Sequence, residues 1–341
     1  MFTQIKRLAK KSKPLVVAYY IYDDWRTRRN FEKGDVQTRS GSTHSKKTLQ
    51  ESLEYINVVF DDYVNYSGIT PEHILDKQVL EVGPGDNFGV ALKFLASGAK
   101  RVVCLDKFYS KRDPERQAEI YSALRRRFEG SERDRFDAGM NTGGGVLNAD
   151  KVRYVYGVGI EDASGLFEAG CFDFIVSRAV TEHLYDLDAA FNSMDKLLAP
   201  DGYMIHAIDL RDHGMFTDGG MDPLTFLTVP DGVYHRMSYN SGRPNRQLIG
   251  YYRAKMAEMG YGSKIFITHL LGVEEMILPH MELSKLNGGH IKAALPRINK
   301  MRPSLQPRYR KMSDEDLMVQ GIFLVARKPA SNPSDTNGSG G

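Results

Sequence analysis

The sequence predicts an α/β fold, and three observations carry the prediction. From residue 70 onward, apolar runs of strand length alternate with segments whose apolar residues recur every three or four positions. The first run, Val79-Leu80-Glu81-Val82, ends in Gly83-Pro84-Gly85 and leads into a helical pattern, as at the ligand-binding turn of an open parallel sheet. Arg101 to Asp106 and Phe172 to Ser177 are almost continuously apolar, as strands covered on both faces are.

Ahead of the sheet, Leu49, Leu53, Ile56, Phe60 and Tyr63 recur at helical spacing behind a capping box, Thr48-x-x-Glu51. Thr70-Pro71 reads as an N-cap with proline at the first helical position. After the glycine turn, Val90, Phe94 and Leu95 share a helix face that ends near Gly98. Asp113 caps a helix that starts at Pro114 and carries Tyr121, Leu124 and Phe128. Val152 to Val158 and Phe172 to Ser177 give strands three and four, and the stripe Leu187, Phe191, Met194, Leu198 a further helix. Pro200-Asp201-Gly202 turns the chain into strand five, Tyr203 to Leu210; Lys264 to Leu270 and Gly321 to Ala326 complete seven strands. The connections 107–151, 211–263 and 271–320 exceed plain crossovers and are expected to hold lids or an acceptor pocket. The polar tail Ser331 to Gly341 is expected to be disordered.

Composition narrows the classes. With 41% apolar and 26% charged residues, the 341-residue chain is an ordinary globular mix. Its longest apolar run, Leu15 to Tyr22, is far shorter than the ~20 residues that span a bilayer, and no cleavage pattern follows it. Cys104 and Cys171 are too few for a disulfide framework or a zinc cluster, so a reducing, cytoplasmic setting and no metal are expected. The net charge of +3 hides an asymmetry, because residues 1–50 hold twelve Lys/Arg against four Asp/Glu. A second basic stretch runs Lys292, Arg297, Lys300, Arg302, Arg308, Arg310, Lys311. Such clusters suit nucleic acid, anionic lipid or phosphorylated substrates, or are simply solvated faces. The basic-apolar segment 5–22 contacts the inner face of a membrane peripherally, packs on the domain or lies as a loose arm.

The first turn carries the chemistry. Gly83 and Gly85 let backbone approach a ligand, and the following helix start offers free N–H groups. Asp106 ends the second strand close to the ~20-residue spacing at which an acid meets a ribose diol. Phe88 stands where an NAD-binding turn places its third glycine. Together with these, Glu81-Val82-Gly83-Pro84-Gly85-Asp86, Gly159-Ile160-Glu161-Asp162, Glu182-His183-Leu184 after strand four, Leu197-Leu198-Ala199-Pro200-Asp201-Gly202 and Gly260-Tyr261 resemble the motifs of class I S-adenosylmethionine-dependent methyltransferases.

The resemblance implies a doubly wound, seven-stranded, mostly parallel sheet with an antiparallel final strand. It implies a domain over 70–328, an N-terminal extension over 1–69, an acceptor-binding insertion at 211–263 and a tail at 329–341. S-adenosylmethionine is the implied cofactor. Glu81 would hold its ammonium directly or through water, with Gly83, Gly85 and Asp86 around the methionine end. Asp106 and Lys107 would sit at the ribose, Ile160 and Glu161 at the adenine, and Ser177 and Arg178 at the end of strand four. The family often carries an acid where this chain has Ile160, which leaves the adenine contact to Glu161 or to backbone.

Methyl transfer to an alcohol benefits from a general base, whereas an amine needs only to be neutral. No Asn/Asp-Pro-Pro-aromatic sequence follows strand four, which disfavours adenine-N6 and amide chemistry. Neither cysteine is placed to serve a cytosine-C5 reaction. Candidate bases are His213, with Asp212 beside it, and His183; alternation along strand five puts His206 and Asp209 on opposite faces. Arg211, Tyr234, His235, Arg236, Asn245 and Arg246 are expected to bind a polar acceptor. Strand five ending in Ile208-Asp209-Leu210-Arg211-Asp212-His213, followed by this insertion, is similar to methyltransferases encoded with bacterial glycan-synthesis enzymes. That points to O-methylation of a saccharide or its lipid-linked form. The alternatives are an RNA methyltransferase using the basic arms, a small-molecule O- or N-methyltransferase, and a non-catalytic cofactor-binding module.

Overall fold

A computed structural model describes residues 10–34, 44–141 and 146–330. The expected disordered tail and residues 5–9 of the basic-apolar segment lie outside them. The strands are β1 (Gln78–Val82), β2 (Arg101–Asp106), β3 (Val152–Tyr156), β4 (Phe172–Arg178), β5 (Leu198–Asp209), β6 (Gly262–Leu270), β7 (Met281–Glu282) and β8 (Val319–Arg327). They form one sheet in the order β3-β2-β1-β4-β5-β8-β6-β7. Neighbours from β3 through β5 are parallel, and β8 is antiparallel to both β5 and β6. The sheet thus has eight strands where seven were expected. The addition, β7, is a two-residue edge pairing of Glu282 and Met281 with Phe266 and Ile267, too short to leave a periodic signal. Strand order reverses at β1, with β2 on one side and β4 on the other, so a crevice opens at their carboxyl ends.

The helices are α1 (Lys13–Glu32), α2 (Leu49–Ser67), α3 (Gly89–Ala96), α4 (Pro114–Arg125), α5 (Gly130–Ala138), α6 (Leu187–Leu197), α7 (Asp231–Ser238), α8 (Ile249–Glu258) and α9 (Gly288–Met301), beside shorter turns. Two apolar clusters sandwich the sheet. Val79 and Phe323 face Ile56, Phe60 and Tyr63 of α2 and Phe94 of α3. Their chain neighbours Leu80 and Ile322 face Phe191 of α6, Tyr252 of α8 and Ile298 of α9. That alternation is the period-two reading of the strands. The capping box opens α2, with Thr48 Oγ1 accepting from Glu51 N at 3.2 Å and Glu51 Oε2 from Thr48 N at 2.7 Å. Asp113 caps α4 by accepting from Glu115 N and Arg116 N.

The basic stretch after residue 291 lies on α9 and the turns beyond it, and part of its charge is used internally. The Arg302 guanidinium donates to the carbonyls of Arg310 and Met312 and pairs with Asp314, while Arg308 pairs with Asp231 at 3.1 Å. No described helix is long and apolar enough to cross a membrane.

α1 gives no amphipathic signal in the sequence, because apolar residues lie all around it. It is seated by buried acids. The Asp24 carboxylate accepts from Asn240 N and Nδ2, both at 2.7 Å, and from Ser241 N at 2.8 Å. Asp23 pairs with Arg243 at 3.0 Å and with Arg26 at 2.8 Å. Asp24→Ala strips half-buried donors of their acceptor and is expected to cost about 1–3 kcal/mol. Chemical denaturation measures the loss, and limited proteolysis should cut α1 faster than in the parent. Unchanged stability and cleavage would show that α1 is held by its other contacts.

Candidate active site

The crevice is a cavity of about 800 Å³. Its floor is Val82, Gly83, Pro84, Gly85 and Asp86 after β1, Leu105 to Phe108 after β2, and Gly159, Ile160 and Glu161 after β3. Arg178, Ala179 and Val180 follow from β4, and His183, Tyr185 and His213 stand at the far end. The roof comes from α1, through Tyr19, Asp23, Arg26, Thr27, Asn30 and Phe31, and from the turn Asn240 to Pro244.

The turn after β1 is built to bring backbone to a ligand. Gly83 and Gly85 both hold φ of 70°, and a Cβ on Gly83 would collide with Val180. Arg112 Nη2 donates to Gly85 O at 2.7 Å, and Gln117 Nε2 to Asp86 O at 2.6 Å, fixing the turn from behind. The Asp86 carboxylate is already engaged, accepting from His44 N and Ser45 N. It therefore carries residue 44 to the cavity wall, where His44 Nδ1 is buried without a partner.

Two acids face the same space with capacity to spare. Asp106 accepts from Phe108 N at 3.2 Å and Ser110 Oγ at 3.4 Å, and burial holds its pKa above the usual carboxylate value. Glu161 accepts from Tyr185 N at 3.1 Å through Oε1, while its Oε2 is buried and unpartnered over Gly159. Beside it, the Lys107 ammonium lies 3.8 Å from the centre of the Tyr185 ring.

At the other end, His213 Nε2 lies 3.5 Å from Asp209 Oδ2 and 3.8 Å from Glu182 Oε1, and its ring meets His183 edge-on at 4.7 Å. Burial lowers both histidines, His183 to about 4, and raises Glu182 to about 8. Burial also works to raise Asp209, but its bonded partner Arg211 overcomes this and holds it low. At neutral pH both imidazoles are therefore uncharged, Glu182 keeps its proton, and Asp209 is the anion beside His213. His213 sits at φ 51°, a left-handed position uncommon for residues other than glycine. One donor atom from each of Glu182, His183 and His213 lies within 4.8 Å of the others.

Other residues expected at the site stand elsewhere. Asp212 is buried and accepts from Gly214 N, Phe216 N, Thr217 N and Thr217 Oγ1, so it shapes the turn that carries His213. Glu81 lies behind the glycine turn, off the cavity wall; Cys104 Sγ is 3.6 Å from its Oε2, and burial lifts it to about 7. Ser177 is buried beneath the floor, its Oγ 2.8 Å from His206 Nδ1. Arg211 pairs with Asp209 rather than reaching the cavity.

In the insertion, Tyr234 and Arg246 belong to the core. Tyr234 Oη donates to Pro244 O at 2.8 Å, and Arg246 donates to the carbonyls of Phe226 and Val229. Asn245 Nδ2 donates to Thr181 O, tying the insertion to the strand-four loop. His235 and Arg236 are exposed on α7, away from the cavity. The face turned inward instead is residues 240–244 with α1. A polar, arginine-bearing segment was visible in the sequence there, but α1 as its partner was not.

The matched family decides what this cleft belongs to. A family described as "Methyltransferase domain" matches residues 53–259, more than half of the chain. The chain belongs to this methyltransferase family. The methyltransferase uses S-adenosylmethionine as its cofactor, and the site fits that molecule. The unpartnered Glu161 Oε2 suits an adenine amino group, the Asp106 carboxylate a ribose diol, and the glycine cradle an amino-acid end. When bound, the cofactor supplies an electrophilic methyl group on a sulfonium.

Solved structures similar to the methyltransferase include the YcgJ protein from Bacillus subtilis, 13% identical, with 83% of this chain and 100% of that one covered at a TM-score of 0.41. Phosphoethanolamine N-methyltransferase 2 of Haemonchus contortus is also 13% identical, with coverage of 85% and 59% and a TM-score of 0.42. An S-adenosylmethionine-dependent methyltransferase from Mesorhizobium loti is 11% identical, with coverage of 80% and 100% and a TM-score of 0.38. A search of curated proteins gives no match.

Proposed function

We propose that this methyltransferase transfers the methyl group to a hydroxyl of a saccharide or glycan precursor, with His213 as the general base. The observation that carries the reading is the His213 imidazole at the cavity's far end, with the Asp209 carboxylate 3.5 Å from its Nε2. With the cofactor bound, His213 would take the acceptor hydroxyl's proton on Nδ1, the ring nitrogen that does not face Asp209, and Asp209, 3.5 Å from Nε2, would stabilise the imidazolium. An amine acceptor would need no such arrangement. The roof pairs aromatic faces, Tyr19 and Phe31, with Asp23, Arg26, Asn30 and Arg243, and Phe108 of the floor stacks on Phe31. Ring faces and hydrogen-bonding groups in alternation suit the faces and hydroxyls of a sugar. The RNA reading is weakened by the internal pairing of Arg302 and Arg308 and by the absence of 292–311 from the described cavity lining.

Transfer of labelled methyl to a panel of lipid-linked saccharides, nucleotide sugars, phenols, amines and total RNA tests the proposal. Label in saccharide, stable to base and lost on ether cleavage, is expected. Label confined to RNA or to an amine would overturn it. Activity abolished by a chelator and restored by a divalent cation would reassign Glu182, His183 and His213 to a metal and remove the base role from His213.

A further inference from the structure

α1 carries a second surface that the cavity does not account for. A helix turns about 100° per residue, so Leu15, Tyr19, Tyr22, Trp25, Arg26 and Arg29 share one arc. The four apolar members are 54%, 57%, 56% and 50% exposed. Val16 and Asp24, away from the arc, are buried against the body of the protein, and Asp23, at the arc's edge, is buried and paired with Arg26 at 2.8 Å. The outer arc bears no carboxylate, and the exposed Glu32 nearby is paired with Arg28 at 2.9 Å. Arg29 lies 4.8 Å over the Trp25 ring, and the exposed Lys11 precedes the helix. The stripe is exposed on a helix that is firmly seated, since Asp24 alone accepts three hydrogen bonds from residues 240 and 241.

We propose that this arc of α1 docks on an anionic phospholipid bilayer. Leucine, tyrosine and tryptophan on a helix face flanked by arginine and lysine, with the nearest acid, Asp23, neutralised by Arg26 and Arg243, is the composition of a helix lying in a bilayer interface. The aromatic rings enter the headgroup zone while the arginines meet phosphates, and no unpaired anion opposes them. A contiguous apolar stripe of this kind is more than scattered surface residues leave exposed.

The placement has a consequence for the acceptor. Tyr19 and Arg26 belong both to the arc and to the cavity wall. Docking therefore sets the cavity mouth at headgroup level, where a saccharide on a membrane-bound carrier would present its polar end. This last step rests on the proposed function; the docking itself does not.

The chain's single tryptophan is Trp25, so its fluorescence reports the arc directly. The full chain is titrated with phosphatidylcholine vesicles with and without about a quarter phosphatidylglycerol, at about 0.1 M salt. A blue shift, quenching by brominated lipid and co-sedimentation are expected with the anionic vesicles only, weakened about tenfold at about 0.5 M salt. The triple variant Leu15→Ser, Tyr22→Ser, Trp25→Ser, whose positions lie off the cavity wall, should lose binding about tenfold or more by co-sedimentation and keep cofactor affinity. No binding to anionic vesicles would overturn the proposal, as would equal binding to neutral ones. A dimer in solution that the triple variant dissolves would assign the arc to a second copy instead. Vesicle binding does not depend on turnover, so docking and acceptor class fail separately.

Discussion

His213→Asn is expected to lower turnover with a hydroxyl acceptor by about 10²–10⁴-fold while leaving S-adenosylmethionine affinity within about twofold, the range spanned by loss of a positioned base. Asparagine is the informative replacement because residue 213 is left-handed, a conformation asparagine tolerates far better than β-branched or bulky residues. His213→Ala should show the same loss with somewhat lower stability. A base role also fixes the sign of the pH dependence. The imidazole acts only when neutral, and burial lowers its pKa below the ordinary histidine value of about 6.5. The parent's kcat/KM should therefore rise with pH and level off before neutrality. In His213→Asn that acid limb should disappear. A variant with parental turnover, or one that keeps the limb unchanged, would remove His213 from proton transfer.

The surrounding groups bear on stability with a different sign. Glu182 is raised by burial from the ordinary carboxyl value to about 8, so the folded chain holds a proton that the unfolded chain releases from about pH 4.5 upward. Its contribution is full below that pH and is lost as pH climbs toward 8, on the order of 1 kcal/mol per pH unit in that window. Its unpartnered Oε2 and the Asp209 N–H at 3.2 Å on Oε1 place this acid as a support behind His213. It works as a neutral neighbour, and Asp209 supplies the charge.

What was legible in the sequence follows the local signals. Glycine turns, the capping box at Thr48, the Asp113 cap and the strand runs each depend on residues adjacent in the chain, and each element formed over its signal. The ends differ in two places: α4 ends at Arg125, short of Phe128, and β5 starts at Leu198, ahead of the turn expected at Pro200-Asp201-Gly202. Seven strands were readable because each spans five residues or more, long enough to carry an apolar pattern. β7 was not, because a two-residue edge pairing has no period. The floor of the cleft was readable for the same reason, since Gly83, Gly85, Asp106 and Glu161 lie at or shortly after strand ends. The roof was not, because it is assembled from residues more than two hundred positions apart, such as Asp23 and Arg243.

Tyr234 and Arg246 illustrate the limit. Their residue types suit a polar acceptor, yet Arg246 donates through Nη1 to the carbonyls of Phe226 and Val229 and pairs through Nη2 with Asp231, and Tyr234 donates to Pro244. Composition cannot distinguish an arginine aimed at a ligand from one that satisfies buried backbone. α1 was missed for the complementary reason. Two of its three buried residues are aspartates, while Tyr19, Tyr22 and Trp25 are exposed, the reverse of the pattern by which a surface helix is recognised.

Asp106→Ala is expected to weaken S-adenosylmethionine binding by about 100-fold, the combined loss of two charge-assisted hydrogen bonds to a diol. The carboxylate is positioned at the end of β2 by Phe108 N and Ser110 Oγ, which use one site on each oxygen and leave the others toward the cavity. Burial raises its pKa, so in the absence of a ligand this anion is under-solvated, and two hydroxyl donors would relieve that cost. Asp106→Asn keeps the shape and one acceptor and should lose less than alanine does. Calorimetry with S-adenosylmethionine and S-adenosylhomocysteine separates the assignment from its alternatives. The two ligands share the ribose and differ at sulfur, so a ribose contact weakens both by the same factor. Contact with the sulfonium end would weaken the charged ligand alone, and a merely structural role would lower the unfolding temperature without this equal loss. Unchanged affinity for both would place the ribose elsewhere along the wall that runs from Leu105 to Glu161.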